Sequence, residues 1–230
     1  MIEKTLRTAD SKITVQIPTA LSELTLGQMI ALQEAGSPDD LDVISILSGV
    51  PKADLANVKS FGELRLFDEH IMALCDRIKH LYDNDTLPRK ITFMTGGREI
   101  AVDVIHNLSV EPAGAFFAAR EIIAGEIGEH ISLYGDENWK DNFQPSLSAC
   151  CLVLAHYFYC RVTQKRYDEY EAEAFCEEVK NLKVPEALPL ARHFFTCYPS
   201  LSKPKTDFWQ RLRRYWKRKQ GYKPLRSLNI

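Results

Sequence analysis

The sequence lacks any apolar run of about 18 residues, the length that a membrane-spanning helix needs. Its longest apolar stretch, Ala149 to Cys160, has His156 inside it and suits a buried core helix. Met1 to Asp10 carry both charge signs rather than a basic start followed by an apolar run, so no export signal is visible and a cytoplasmic setting is expected. Cysteine is scarce: Cys75, Cys150, Cys151, Cys160, Cys176 and Cys197 are the six in 230 residues. A chain of this size can bury a core without staples, so reduced thiols are expected rather than a disulfide framework. Internal repeats and low-complexity tracts are missing, and an apolar content of 45% with 26% charged residues excludes disordered and fibrous classes.

Catalytic signatures are missing too. There is no G-x-x-x-x-G-K-[ST], no G-x-G-x-x-G after a strand, no G-x-S-x-G and no H-E-x-x-H. Phosphate cradling, dinucleotide binding, elbow-serine and zincin chemistry therefore have no residues to start from. The expectation is a protein that is not an enzyme, with no catalytic residue, no cofactor and no small-molecule substrate.

What is present is mostly helical patterning. Lys12 to Ile17 alternates Ile13, Val15 and Ile17 with polar residues, the period of a half-buried strand that Pro18 ends. Thr25 followed by Gln28 reads as a capping box opening a short helix. Ser37 as cap, Pro38 at the first helical position and two acids predict another helix to about Leu47, stopped by Gly49, with a single turn from Pro51 through Leu55. Leu64, Phe67, Ile71, Leu74, Ile78 and Leu81 lie on one stripe of a predicted helix of about 20 residues. Lys90 to Met94 and Arg98 to Val104 flank Thr95, Gly96 and Gly97 as a hairpin, either projecting as an arm or packed on the N-terminal strand. Helices are then expected near Glu111 to Ile127, Ser146 to Arg161, Tyr167 to Leu182 and Pro185 to Tyr198, with Ile131 to Gln144 as a boundary or surface loop. The fold class is mainly α, a helical domain with a small antiparallel β element. The expected division is 1–130 (helical with the β element), 131–202 (helical) and 203–230 (a basic aromatic arm).

Charge is unevenly distributed. Ten of the chain's 29 Lys and Arg residues, but only Asp207 of its 31 acids, lie from Lys203 to Ile230; that segment carries +9 and the remainder −11. Phe208, Trp209, Leu212, Tyr215 and Trp216 recur there at helical spacing, flanked by Arg211, Arg213, Arg214, Lys217 and Arg218. These ten residues are the expected partner-binding site. A basic amphipathic segment suits an acidic protein surface, a nucleic-acid backbone or an anionic membrane. The acidic remainder favours the first, because it supplies a complementary surface and repels phosphate. Nucleic-acid contact by the arm stays open as the second reading, and membrane contact is not expected.

Two further constellations bear on metals. His156 with Cys160 and His193 with Cys197 are i, i+4 couples, and two such helices could surround a tetrahedral zinc. Zinc ligands usually come from close-spaced loops, whereas each couple lies among bulky apolar neighbours, so core packing is favoured and no metal site is expected. Glu171, Glu173, Glu177 and Glu178 lack the spaced oxygen ligands of a calcium loop and read as a solvated helix face.

The segment ITVQIPTALSELTLGQMIAL, Ile13 to Leu32, followed by DLDVISILSGVPKADL, Asp40 to Leu55, resembles the opening of small proteins from the structural gene clusters of tailed bacteriophages, especially those of Bacteroidota hosts. The shared features are a short strand, an Ile-Pro-Thr turn, a Leu-Thr-Leu-x-Gln helix start and an Ile-Leu-Ser-Gly-Val-Pro break. The resemblance covers about a fifth of the chain and points towards tail-assembly chaperones and small tail or connector proteins. It implies work by protein contact, with other phage structural proteins and further copies as partners, in the host cytoplasm during assembly or in the virion. The basic, Trp-rich segment has no counterpart in that pattern.

Overall fold

The computed structural model describes residues 1–9, 11–78, 86–135, 137 and 139–197. Within them the chain is mainly helical, with two separate two-stranded antiparallel sheets.

β1 (Ile2–Arg7) pairs with β2 (Lys12–Ile17), Ile2 opposite Ile17 and Leu6 opposite Ile13. β2 is the expected strand: Val15 and Ile17 are buried, Ile13 packs against the core, and Lys12, Thr14 and Gln16 are exposed. β1 escapes the sequence reading because Ile2 and Leu6 are its only apolar residues, too few to display a period.

α1 (Leu26–Glu34) opens on the expected capping box: the Thr25 hydroxyl accepts from the Gln28 N–H, and Gln28 Oε1 accepts from the Thr25 N–H at 2.9 Å. The Gln28 amide also donates to Leu47 O at 2.7 Å, tying α1 to α2 (Asp40–Ser48). The α2 cap is Asp39 rather than Ser37, its carboxylate accepting from the Asp42 N–H at 2.8 Å, which leaves Pro38 outside the helix. A carboxylate at the positive helix end adds a charge interaction that a hydroxyl lacks. Gly49, at φ 72°, ends α2, and α3 (Lys52–Ala56) is the single turn after Pro51.

The first turn of α1 is completed from far along the chain. Leu26 N–H donates to Leu182 O at 2.9 Å, Gly27 N–H donates to Lys180 O at 2.8 Å, and Val184 N–H donates back to Leu24 O at 2.9 Å. A Cβ at Gly27 would lie 3.0 Å from Lys180 Cβ, so a residue without a side chain permits the approach.

The six-residue stripe does not make one regular helix. α4 (Phe61–Leu64) passes through a 3₁₀ turn, Arg65–Phe67, into α5 (Asp68–Ile78), and Leu81 lies outside the described residues. Leu64, which precedes the turn, and Phe67, which ends it, are both buried.

β3 (Lys90–Thr95) and β4 (Arg98–Asp103) form the expected hairpin, with Gly96 and Gly97 at φ 59° and 74° supplying the two positive φ values that its tight turn needs. It neither projects freely nor joins the first sheet. Ile91, Phe93 and Val102 are buried under helices, with the Phe93 ring 5.0 Å from Phe158 and 5.6 Å from Phe175.

α6 (Ala113–Tyr134) buries Ala115, Ala119, Ile123 and Ile127, a narrow stripe on the helix that packs against the later segment Leu147–Thr163. It continues seven residues past the predicted end and runs through residues 130 and 131, where a division is expected. The predicted loop to Gln144 is thus partly helix and includes a further short turn, α7 (Trp139–Asn142). α8 (Leu147–Thr163) is capped by Ser146, whose N–H and hydroxyl both donate to Glu126 of α6, at 2.8 and 2.9 Å. The predicted helix from Tyr167 to Leu182 is two pieces, α9 (Glu169–Ala174) and α10 (Cys176–Val179), which meet at the buried Phe175. α11 (Val184–Cys197) follows directly.

One cluster of buried side chains extends from Leu6 to Phe195 and centres on α8. The rings of Tyr157 and Phe158 of α8 meet edge-on with centroids 4.5 Å apart, and Phe194 of α11 lies 5.0 Å from Tyr157. No helix among the described residues is long and apolar enough to cross a membrane.

Candidate functional site: an acidic face with an apolar groove

α1, α2 and α5 converge on a groove of about 460 Å³ whose floor is Met29, Leu32, Val43, Leu47, Ile71 and Ile78. Each residue reaches it by helical spacing: Met29 and Leu32 three apart on α1, Val43 and Leu47 four apart on α2, and Ile71 and Ile78 seven apart on α5. This gives the charged-backed stripe of α5 a second use. Leu74 points into the core, whereas Ile71 and Ile78 are half-buried at the groove. Cys75 lines the same groove and is exposed, and Met72 beside it is 70% exposed. Gln33 and Gln144 supply polar edges.

The three helices that build the groove carry Glu34, Asp40, Asp42, Asp68, Glu69 and Asp76 against one strong base, Arg77. Arg77 is turned to another use, donating to Thr19 O at 3.0 Å. Glu34, Asp40, Glu69 and Asp76 are exposed. Lys52 bridges Asp39 and Asp42 at 2.8 and 2.7 Å; its hydrogen bonds hold the Asp39 carboxyl below its ordinary range, and the two carboxylates raise Lys52. Among the described residues the helices that build the groove are thus net acidic, while the groove's own lining is apolar apart from Gln33, Gln144 and Cys75, a combination suited to a basic amphipathic partner.

The second acidic region, α9 and α10, is differently disposed. Glu171 accepts from the Tyr159 hydroxyl and pairs with Lys165 at 2.8 Å, and Glu177 pairs with Lys180 at 2.8 Å. The hydrogen bond to Glu171 pushes Tyr159 up to about 12. Glu171, Glu173 and Glu177 are exposed and Glu178 half-buried, mostly the solvated face that the sequence predicts.

The two His and Cys couples sit in unlike surroundings. His156 is buried, its Nδ1 3.0 Å from the Tyr167 hydroxyl, and burial lowers its pKa against the opposing pull of Glu173 and Glu169. Tyr167 is itself pushed up to about 12 by burial, and Cys160 is half-buried and raised by the same cause. The His193 couple departs from the expected core packing, because α11 ends there: Cys197 is exposed, its Sγ 3.4 Å from His193 Nδ1, and the other ring nitrogen of His193 lies 3.3 Å from His106 O. No group of three or more His, Cys, Asp or Glu among the described residues is placed to hold a metal ion.

Two buried polar constellations went unseen in the sequence. Arg161 of α8 pairs with Glu111, whose side chain is only 4% exposed, through a 2.7 Å bond from Nε and a second bond from the guanidinium. The Tyr157 hydroxyl donates to Ile105 O and accepts from Ile105 N–H, both at 2.8 Å, and its ring lies 5.0 Å from the Arg161 guanidinium. Both tie the segment after β4 to α8, and burial raises the Tyr157 pKa. Cys151 of α8 donates to Cys176 O at 3.6 Å, and all six cysteines are free thiols.

Phe208, Trp209, Arg211, Leu212, Arg213, Arg214, Tyr215, Trp216, Lys217 and Arg218, the predicted partner-binding residues, lie outside the described residues. Comparison with protein-family models, with curated proteins and with solved structures finds no match for the chain.

Proposed function

We propose that the chain is a non-enzymatic structural or assembly protein of a tailed bacteriophage, from the tail or head-to-tail connector region, acting through contacts with other phage structural proteins and with its own copies. The observation that carries this reading is the opposition of charge: a +9 aromatic segment, Lys203 to Ile230, and a −11 remainder, with an acidic, groove-bearing face on α1, α2 and α5. Complementary patches on one chain favour contact between copies, since opposite charges steer encounter and fix register. The resemblance of Ile13 to Leu55 to phage proteins gives the setting: host cytoplasm during assembly, with either a place in the virion or a chaperone role that ends before the particle matures.

Deletion of residues 203–230 tests the reading. The expected result is loss of self-association by sedimentation velocity and of co-purification with products of neighbouring genes. A full-length chain that is strictly monomeric and binds none of those products overturns it. A second reading, a nucleic-acid-binding accessory protein, draws on Arg211, Arg213, Arg214, Lys217 and Arg218 interleaved with aromatics that can stack on bases. It requires binding to DNA or RNA whose affinity falls steeply with salt as counterions are released, lost in the same deletion.

A further inference from the structure

The groove on α1, α2 and α5 has an apolar floor on helices that carry an excess of acids, and at about 460 Å³ it falls within the range of roughly 300 to 1,000 Å³ that encloses a ligand or a few anchoring side chains. An amphipathic helix with cations beside its apolar face is the complementary object, and Trp, Tyr and Arg are the side chains that most often dominate such contacts. In sequence, Phe208, Trp209, Leu212, Tyr215 and Trp216 recur at helical spacing between Arg and Lys residues, the pattern such an object requires.

Position supports the same pairing. The Phe195 ring, near the end of α11, lies 5.9 Å from Phe143, and Phe143 immediately precedes Gln144 at the groove edge. Ten residues, Tyr198 to Asp207, separate Cys197 from Phe208. Fully extended they reach up to about 35 Å, enough for the segment to enter this groove on its own chain or on an adjacent copy.

The geometry points to this groove as the seat of the chain's own segment Phe208 to Trp216, with its aromatic side chains on the apolar floor and its cations towards the acids of the helices around it. The assignment rests on the proposed function, since it names the surface that the basic segment engages. It covers the half-buried Ile71 and Ile78 and the exposed Met72 with aromatic contact, and it brings positive charge to the helices that carry the exposed Glu34 and Asp40.

Cys75 is a native reporter in the groove, and Cys197 is an exposed reference thiol outside it. The test alkylates the full-length protein with iodoacetamide and follows each cysteine by peptide mass spectrometry. The Cys75 rate is expected to rise on the order of tenfold in Trp209→Ala/Trp216→Ala, as for a groove occupied about nine-tenths of the time in the parent, with Cys197 unchanged. Glu34→Lys/Asp40→Lys alters only exposed positions of α1 and α2 and is expected to raise the Cys75 rate in the same sense, as is molar salt, which screens these charges. Mild oxidation of Tyr215→Cys should then yield a disulfide from the introduced thiol to Cys75. Equal Cys75 rates in parent and double tryptophan variant overturn the groove assignment, and if that variant also loses self-association the proposed function survives without it. A shielded Cys75 in a strictly monomeric chain supports the groove and overturns the clasping of neighbours instead.

Discussion

α8 and α5 are both helices of ordinary length, yet α8 buries twelve of its 17 residues and α5 only Leu74 of its eleven. The difference lies in what surrounds them. α8 is enclosed by α6, α9, α10, α11 and the second hairpin, so nearly every side chain meets another element. α5 leaves Met72, Cys75 and its acids outward. A helix apolar all round organises a core, whereas a helix with one inward residue per few turns leaves area for something else to cover.

Substitutions can break that contrast. The largest losses are expected on α8: Phe158→Ala removes a fully buried ring and should cost about 3 to 5 kcal/mol in urea unfolding. Arg161→Met strands the Glu111 carboxylate in the interior and is expected to cost a similar 3 to 5 kcal/mol, or about twice what Glu111→Gln/Arg161→Met costs if the buried charge is the cause. Tyr157→Phe keeps the ring but leaves Ile105 N–H and C=O without their partner, for roughly 1 to 3 kcal/mol.

A smaller effect follows from His156. Its folded-state pKa is depressed by burial, so the unfolded chain binds the proton more readily, and the stability present above about pH 6.5 is lost as pH falls below it. Unfolding at pH 7.5 and 5.5 should show this decline in the parent and a shallower one in His156→Gln. The smallest change is expected on α5, where Met72→Ser should alter stability by less than about 0.5 kcal/mol. A loss there as large as on α8 would erase the distinction between the two helices.

The sequence is most legible where a local rule decides the structure. The Thr25 and Gln28 capping box, the β2 alternation, the Gly96 and Gly97 turn and the apolar run of α8 are each visible in a few consecutive residues. It is least legible where distant residues decide. Nothing in IEKTLR announces β1, which forms because β2 offers a partner. The stripe from Leu64 looks continuous because helical and 3₁₀ spacings share the i, i+3 step, and only burial of Phe67 selects the tighter turn. Arg161 and Glu111 are fifty residues apart and look like surface charges until the fold encloses them. The groove was equally hidden: Ile71 and Ile78 share a stripe with Leu74 and pack against the core, and only the placement of α5 against α1 and α2 puts them at an opening as well.

The bonds from Leu26 and Gly27 to Leu182 and Lys180 bear on how the chain is made. Translation at about 5 to 20 residues per second brings Lys180 out of the ribosome roughly ten to thirty seconds after α1. Throughout that interval the start of α1 has water in place of its native acceptors, and Leu24 and Leu26 have no finished core to enter. The first half of the nascent chain thus depends on the last fifty residues before 197 for its final structure, which makes the half synthesised first the half most in need of a sheltering chaperone.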